Sequence, residues 1–170
     1  MPPRIDAAPP ATAAPGLAAE AQILASRGTI TPLYRVLLHS SPIARGWEAL
    51  LTAVRQQTAL DPALRELMIL RVAVLNGADY EYDAHLPFAR DAGVSERKIA
   101  AVKGTDLSDF TDTERAVLDY TDALTRDIHV DDAIFERVRS HFDPRGLVEV
   151  TATIAAYNMV SRFLIGLDVH

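Results

Sequence analysis

Residues 61–93 read DPALRELMILRVAVLNGADYEYDAHLPFARDAG, and the fold is decided there. Asp61 before Pro62 is a helix start: an acceptor side chain at the cap, then a ring whose fixed φ suits the first helical position. Leu64, Leu67, Met68, Ile69, Leu70, Val72, Val74 and Leu75 then make a segment that is apolar nearly all round. A helix without a polar face is buried on most sides. Gly77 suits the left-handed residue at a helix end, and Gly93 suits the next. Between them a second helix starts near Asp79, so the two form a hairpin.

The same punctuation extends outward. Thr31-Pro32, Ser41-Pro42 and Asp143-Pro144 repeat the cap-and-proline start. Thr111 and Glu114 fit a capping box. Apolar spacing between these marks is helical, which predicts segments at 17–27, 32–39, 42–59, 61–77, 79–92, 95–102, 111–127, 131–141 and 144–167. Leu50, Leu51, Val54 and Thr58 form one stripe; Val117, Leu118, Thr121 and Leu124 form another. No alternating run argues for a strand, so the expected fold is all-α. The last segment, with Leu147, Val148, Val150, Ile154, Val160, Phe163, Leu164 and Ile165, is a second helix apolar nearly all round. Two such helices in a short chain predict that subunits share the burial, as a homo-oligomer.

Composition narrows the function. The 170 residues suit one domain, expected over 17–170. A net charge of −6 repels phosphate, and no basic cluster overrides it, so nucleic acid is not an expected partner. With no cysteine, the chain has no thiol catalysis, disulfide or cysteine-held cluster. Residues 1–16 carry half of the ten prolines and no apolar core of a signal peptide. They are expected as a disordered tail. The apolar runs fall short of a membrane span. The expected setting is therefore cytoplasmic, with no membrane partner.

Candidate chemistry lies in the hairpin. Glu66 sits inside the most apolar helix, where a carboxyl needs a partner or a proton. Its bland alternatives are solvent, Arg65 or Arg71. Ala78, Glu81, Tyr82 and His85 share a face of the next helix, with Glu81 and His85 at i,i+4. If Gly77 folds that helix back, Glu66, Glu81 and His85 converge. Two carboxyls and an imidazole in an apolar setting suit general acid–base catalysis, because burial and mutual charge move their pKa values. Arg162 could hold a substrate carboxylate by a bidentate contact, or it could be a buried ion pair, with Glu149 as one partner. Trp47 suits core or pocket wall. A metal is not expected, since di-iron bundles use Glu-x-x-His on two helices and here Glu-x-x-x-His occurs once.

The spacing resembles the carboxymuconolactone decarboxylase and alkylhydroperoxidase D superfamily. Its peroxidase branch has a glutamate on one helix, then Cys-x-x-Cys and a histidine on the next. Here Glu66 fills the glutamate slot, Ala78 and Glu81 fill the cysteine slots, and His85 fills the histidine slot. Leu64–Ala73, Tyr80–Tyr82, Ala89–Gly93, Thr113–Tyr120, Leu147–Glu149, Tyr157-Asn158 and Arg162 also match. The resemblance covers about residues 30–168. It implies a helical array assembled as a dimer, trimer or hexamer, with no bound cofactor. It also implies that the peroxidatic disulfide cycle is lost.

The expected activity is a cofactor-independent lyase or other proton-transfer enzyme. Its substrate would be a small carboxylated lactone or enone-type acid. His85 would protonate carbon, Glu81 would orient it and keep it charged, Glu66 would be the partner acid or base, and Tyr82 a hydrogen-bond donor. The roles of Glu66, Glu81 and His85 could permute. The alternatives are a non-catalytic ligand-binding or scaffold protein of the same fold and a lactone hydrolase.

Overall fold

The structure, a computed structural model, describes residues 4–170 and contains helices and no strand among them. The chain divides into two compact units: Met1–Gln57 with Phe163–His170, and Thr58–Arg162.

The first unit holds α1 (Ala14–Arg27), α2 (Pro32–Leu37) and α3 (Ser41–Thr52), which runs into a π-helical turn over Ala53–Gln57. α1 and α2 both pack on α3. The buried face of α3 is Ala44, Trp47, Glu48 and Leu51. This corrects the stripe expected from sequence, since Leu50 is exposed. The shift arises because a carboxylate occupies the inner face. Glu48 is buried and accepts from Ser26 Oγ (2.6 Å), Thr52 Oγ1 (2.5 Å), Gln22 Nε2 (3.3 Å) and Arg27 Nε (3.3 Å). Burial pushes its pKa up, but those hydrogen bonds outweigh it and hold the carboxyl below its usual value. Trp47 stacks at a tilt on Phe163, with ring centroids 5.1 Å apart.

Residues 4–13, inside the stretch expected as a disordered tail, run extended and bonded along this unit. Ala8 N–H donates to Arg35 O, and Ala11 N–H to Glu20 Oε1, each at 3.1 Å. Backbone partners of this kind leave no mark in composition. Residues 1–3 of that stretch lie outside the described residues.

The second unit holds α4 (Pro62–Asn76), α5 (Asp79–Asp91), α6 (Glu96–Ala101), α7 (Asp112–Arg126), α8 (Asp132–Arg139) and residues 144–162 of α9 (Pro144–Leu167). α4 is central and packs on α5 and α7. Its cap is the expected one: Asp61 Oδ1 accepts from Leu64 N–H at 3.0 Å. Gly77 closes it at φ 67°, which a side chain resists. Leu67, Met68, Ile69 and Leu70 are fully buried, each stabilising the fold by roughly 1.5–3 kcal/mol. Leu67 and Leu70 join Tyr82, Ala89, Ile99, Val102, Phe110 and Leu118 in one core. The capping box at Thr111 and Glu114 is formed.

The buried Arg71 ties this unit together. Its Nε and Nη2 pair with the two Asp122 oxygens at 2.6 Å each. Its Nη1 donates to the carbonyls of Val102 (2.7 Å) and Gly104 (2.6 Å).

α9 corrects two expectations. It is not buried all round: Val148 and Ile165 are 68% and 45% exposed. It is also long and apolar enough to cross a membrane by length and composition alone, although half of that window is buried inside the molecule. Thr153, Asn158 and Ser161 are its buried polar positions.

Candidate active site

α4 and α5 carry the candidate groups, and the left-handed turn at Gly77 brings the helices together. Glu66 is 1% exposed and His85 8%. Glu66 Oε2 lies 2.7 Å from His85 Nδ1. That contact orients the imidazole against the carboxyl. Arg65 Nε stands 3.5 Å from Glu66 Oε1, so the carboxylate lies between a guanidinium and the ring. The His85 ring is packed edge-on to Tyr157, with centroids 5.1 Å apart, and tilted against Phe88 at 5.7 Å.

Glu81 is placed differently from expectation. The i,i+4 pairing with His85 is not the contact made; Glu66 across the hairpin takes that place. Glu81 Oε2 lies 2.5 Å from Ser161 Oγ on α9. Its Oε1 is buried and has no hydrogen-bond partner among the described residues. Burial pushes this carboxyl up to about 8, although the Ser161 hydrogen bond lowers it. At neutral pH it is therefore a neutral acid, not the carboxylate expected to hold His85 charged.

The two expected binding residues separate. The Tyr82 hydroxyl donates to Ile99 O at 3.1 Å, and Lys103 Nζ sits 4.3 Å over its ring. The hydroxyl is thus committed to the α6 side of the core. Arg162 is exposed and donates through Nη1 to Asn158 Oδ1 (2.7 Å) and Asn158 O (3.2 Å). The expected ion pair with Glu149 is absent, because Glu149 takes Arg145 and the Ala59 N–H, each at 2.9 Å. Asn158 is in turn held by Asn76 Nδ2 (3.0 Å) and bonds Thr125 Oγ1 (2.9 Å). The network braces one edge of the guanidinium. Nε and Nη2 meet no acidic group among the described residues.

Ser161 is the site residue that sequence reasoning missed. It stands 80 positions from Glu81, and a small hydroxyl on an apolar helix carries no spacing signal. Among the described residues, no three acidic or histidine side chains form a group that could hold a metal.

The carboxymuconolactone decarboxylase family model matches residues 42–123, which contain Glu66, Glu81 and His85. The uncharacterized protein YnjA of Escherichia coli is 32% identical over 117 residues, or 68% of this chain. That match spans 64% of YnjA's own length. ATU0492 of Agrobacterium tumefaciens, a protein of unknown function suggested to be the antioxidant-defence protein AhpD, is similar in structure. It is 28% identical with a TM-score of 0.73, over 78% of this chain and 92% of that one. The debrominase Bmp8, solved as a variant in complex with 2,3,4-tribromopyrrole, shares the fold at 17% identity and a TM-score of 0.77. That match covers 90% of this chain and 83% of Bmp8. The chain thus carries a carboxymuconolactone decarboxylase family match over residues 42–123 and is similar in structure to an AhpD-like protein, with no cysteine in its sequence.

Proposed function

We propose that the protein is a cofactor-independent decarboxylase, or a closely related proton-transfer enzyme, acting on a small carboxylated lactone or enone-type acid. The observation that carries this reading is a buried Glu66–His85 pair beside a buried, neutral Glu81 with one unpartnered oxygen. A carboxyl–imidazole pair and a second carboxyl that keeps its proton are groups that proton transfer at neutral pH can use.

The chemistry balances without a cofactor. The substrate carboxylate leaves as CO2, and its bonding pair passes into an adjacent carbonyl to form an enolate. A hydrogen-bond donor steadies the enolate oxygen. A proton then closes the new C–H bond, and solvent restores it to the enzyme. Glu81 is the better proton donor to carbon because it holds a proton at neutral pH, while His85, oriented by Glu66, would donate to the enolate oxygen with both ring nitrogens protonated. This exchanges the roles that sequence suggested for Glu81 and His85. Arg162, braced by Asn158, is the anchor for a substrate carboxylate. The small ring bound by Bmp8 supports a ligand of that size in this fold.

The subunits are proposed to associate, with the exposed apolar Ile128 and Val148 as contact residues. The setting is proposed to be cytoplasmic, with neither nucleic acid nor membrane as partner.

A panel of carboxylated lactones and β-keto acids, assayed for CO2 release, tests the activity. At least one should react faster than in buffer, and the folded His85→Gln variant should lose about 100-fold or more. A panel with no acceleration refutes the reading.

A further inference from the structure

Ser161 Oγ meets two oxygens, Glu81 Oε2 at 2.5 Å and Tyr157 O at 2.9 Å. A hydroxyl owns one proton. If Glu81 is ionised, that proton can serve only one of the two acceptors. If Glu81 is a neutral acid, its own O–H donates to Ser161 Oγ, and Ser161 passes its proton to Tyr157 O. All three groups are then satisfied. The Tyr157 carbonyl also takes the helical N–H of Ser161 by ordinary α-helical geometry, so it tolerates losing the hydroxyl.

We infer that Ser161 is a proton-responsive positioning residue: its hydroxyl faces Tyr157 O while Glu81 holds its proton, and turns to the Glu81 carboxylate once that proton has gone. No bond of the serine breaks. When the Glu81 proton is lost, the O–H electron pair stays on the carboxyl oxygen, and the rotated Ser161 O–H covers it. Solvent later returns the proton, and the hydroxyl turns back.

The surroundings leave this task to Ser161. Ser161 is fully buried and Glu81 is 2% exposed, so water does not compete. Glu81 Oε1 has no partner to share the new charge. The charged and titratable groups on the surrounding elements are engaged elsewhere. On α4, Arg65 and Glu66 face each other, and Glu66 holds His85 of α5. Arg71 of α4 is tied to Asp122 of α7. Asp79 and Asp83 of α5 are exposed. On α9, Arg162 bonds Asn158, and Tyr157 packs its ring on His85. Burial holds the Glu81 proton on, while the Ser161 hydrogen bond favours its loss.

This inference deepens the acid–base reading, but its test needs no substrate. The carbonyl stretch of a protonated buried carboxyl is followed by infrared difference spectroscopy on the full chain as pH rises. The band missing from Glu81→Gln identifies Glu81. Its midpoint in the wild type should fall near 8. Ser161→Ala should weaken ionisation by about tenfold or more, because a hydrogen bond to a charged group is lost. Ser161→Thr keeps the hydroxyl and should titrate with the wild type. An unmoved midpoint in Ser161→Ala, or a threonine variant that shifts as far as the alanine one, overturns the inference. An unmoved midpoint with His85-dependent CO2 release rejects the serine's role alone. A moved midpoint without CO2 release rejects the lyase reading alone.

Discussion

Glu81 and Glu48 are two buried glutamates whose neighbours give them opposite fates. Glu48 meets four donors and stays ionised; Glu81 meets one hydroxyl and keeps its proton. The count of donors decides, because each must offset the cost of moving a charge out of water. Glu81 therefore leaves a mark on stability. Its pKa is about 8 in the folded chain against the ordinary glutamate value of 4.5, so the folded chain binds the extra proton between those values. Its stabilising contribution is full below about pH 4.5 and is lost as pH rises through about 8. Glu81→Gln copies the neutral acid and should remove that slope. Melting temperatures of the two proteins, compared across this range, should converge at the acid end, with the variant higher at the alkaline end. Parallel curves would show that Glu81 ionises freely in the folded chain.

At the scale of elements, helix ends were the most legible feature, since they are written in local chemistry. Asp61-Pro62, Thr111 with Glu114, and Gly77 all act where the sequence places them. At Ser41-Pro42 the cap is Ser40, one residue earlier, because the proline takes the second helical position there. The meeting of Glu66 with His85 was legible too: a hairpin closed at Gly77 returns α5 along α4. Which carboxyl would hold the imidazole was not. Helical spacing says which side chains can reach one another, but long-range partners choose the rotamer, and Ser161 lies 80 positions away in sequence. Arg71 shows the same limit. Its sequence position next to Glu66's helix turn suggests a partner for Glu66, but it joins α4 to Asp122 and to two carbonyls near the end of α6. Arg71→Ala takes this donor from the half-buried Asp122 and from two carbonyls, and should cost about 2–3 kcal/mol. Urea unfolding measures this; a loss below about 1 kcal/mol, the worth of a surface pair, would mean the network is not a structural tie.

For the whole molecule, a chain without cysteine has the fold of AhpD-like proteins. The scaffold is set by α4, α5 and the core around Leu67 and Leu70, none of which depends on a thiol. By the resemblance, Ala78 and Glu81 stand where the peroxidase branch has cysteines, so the chain has no thiol there and Glu81 is a buried carboxyl at one of the two positions. Exposed apolar residues on the second unit, Ile128 at 79% and Val148 at 68%, fit an assembly of copies. Sedimentation at micromolar concentration should give a species larger than 18.5 kDa, and Val148→Asp should reduce it. A monomer across that range would remove shared burial from the account.

In the proposed function Glu81 protonates carbon, and His85, oriented by Glu66, serves the enolate oxygen. The most direct measurement follows decarboxylation of the acid panel in deuterium oxide, with the product read by NMR. The account predicts one deuterium at the carbon that lost CO2, formed faster than in buffer, and slowed about 100-fold or more in both Glu81→Gln and His85→Gln. Wild-type turnover that survives unchanged in both folded variants would contradict it.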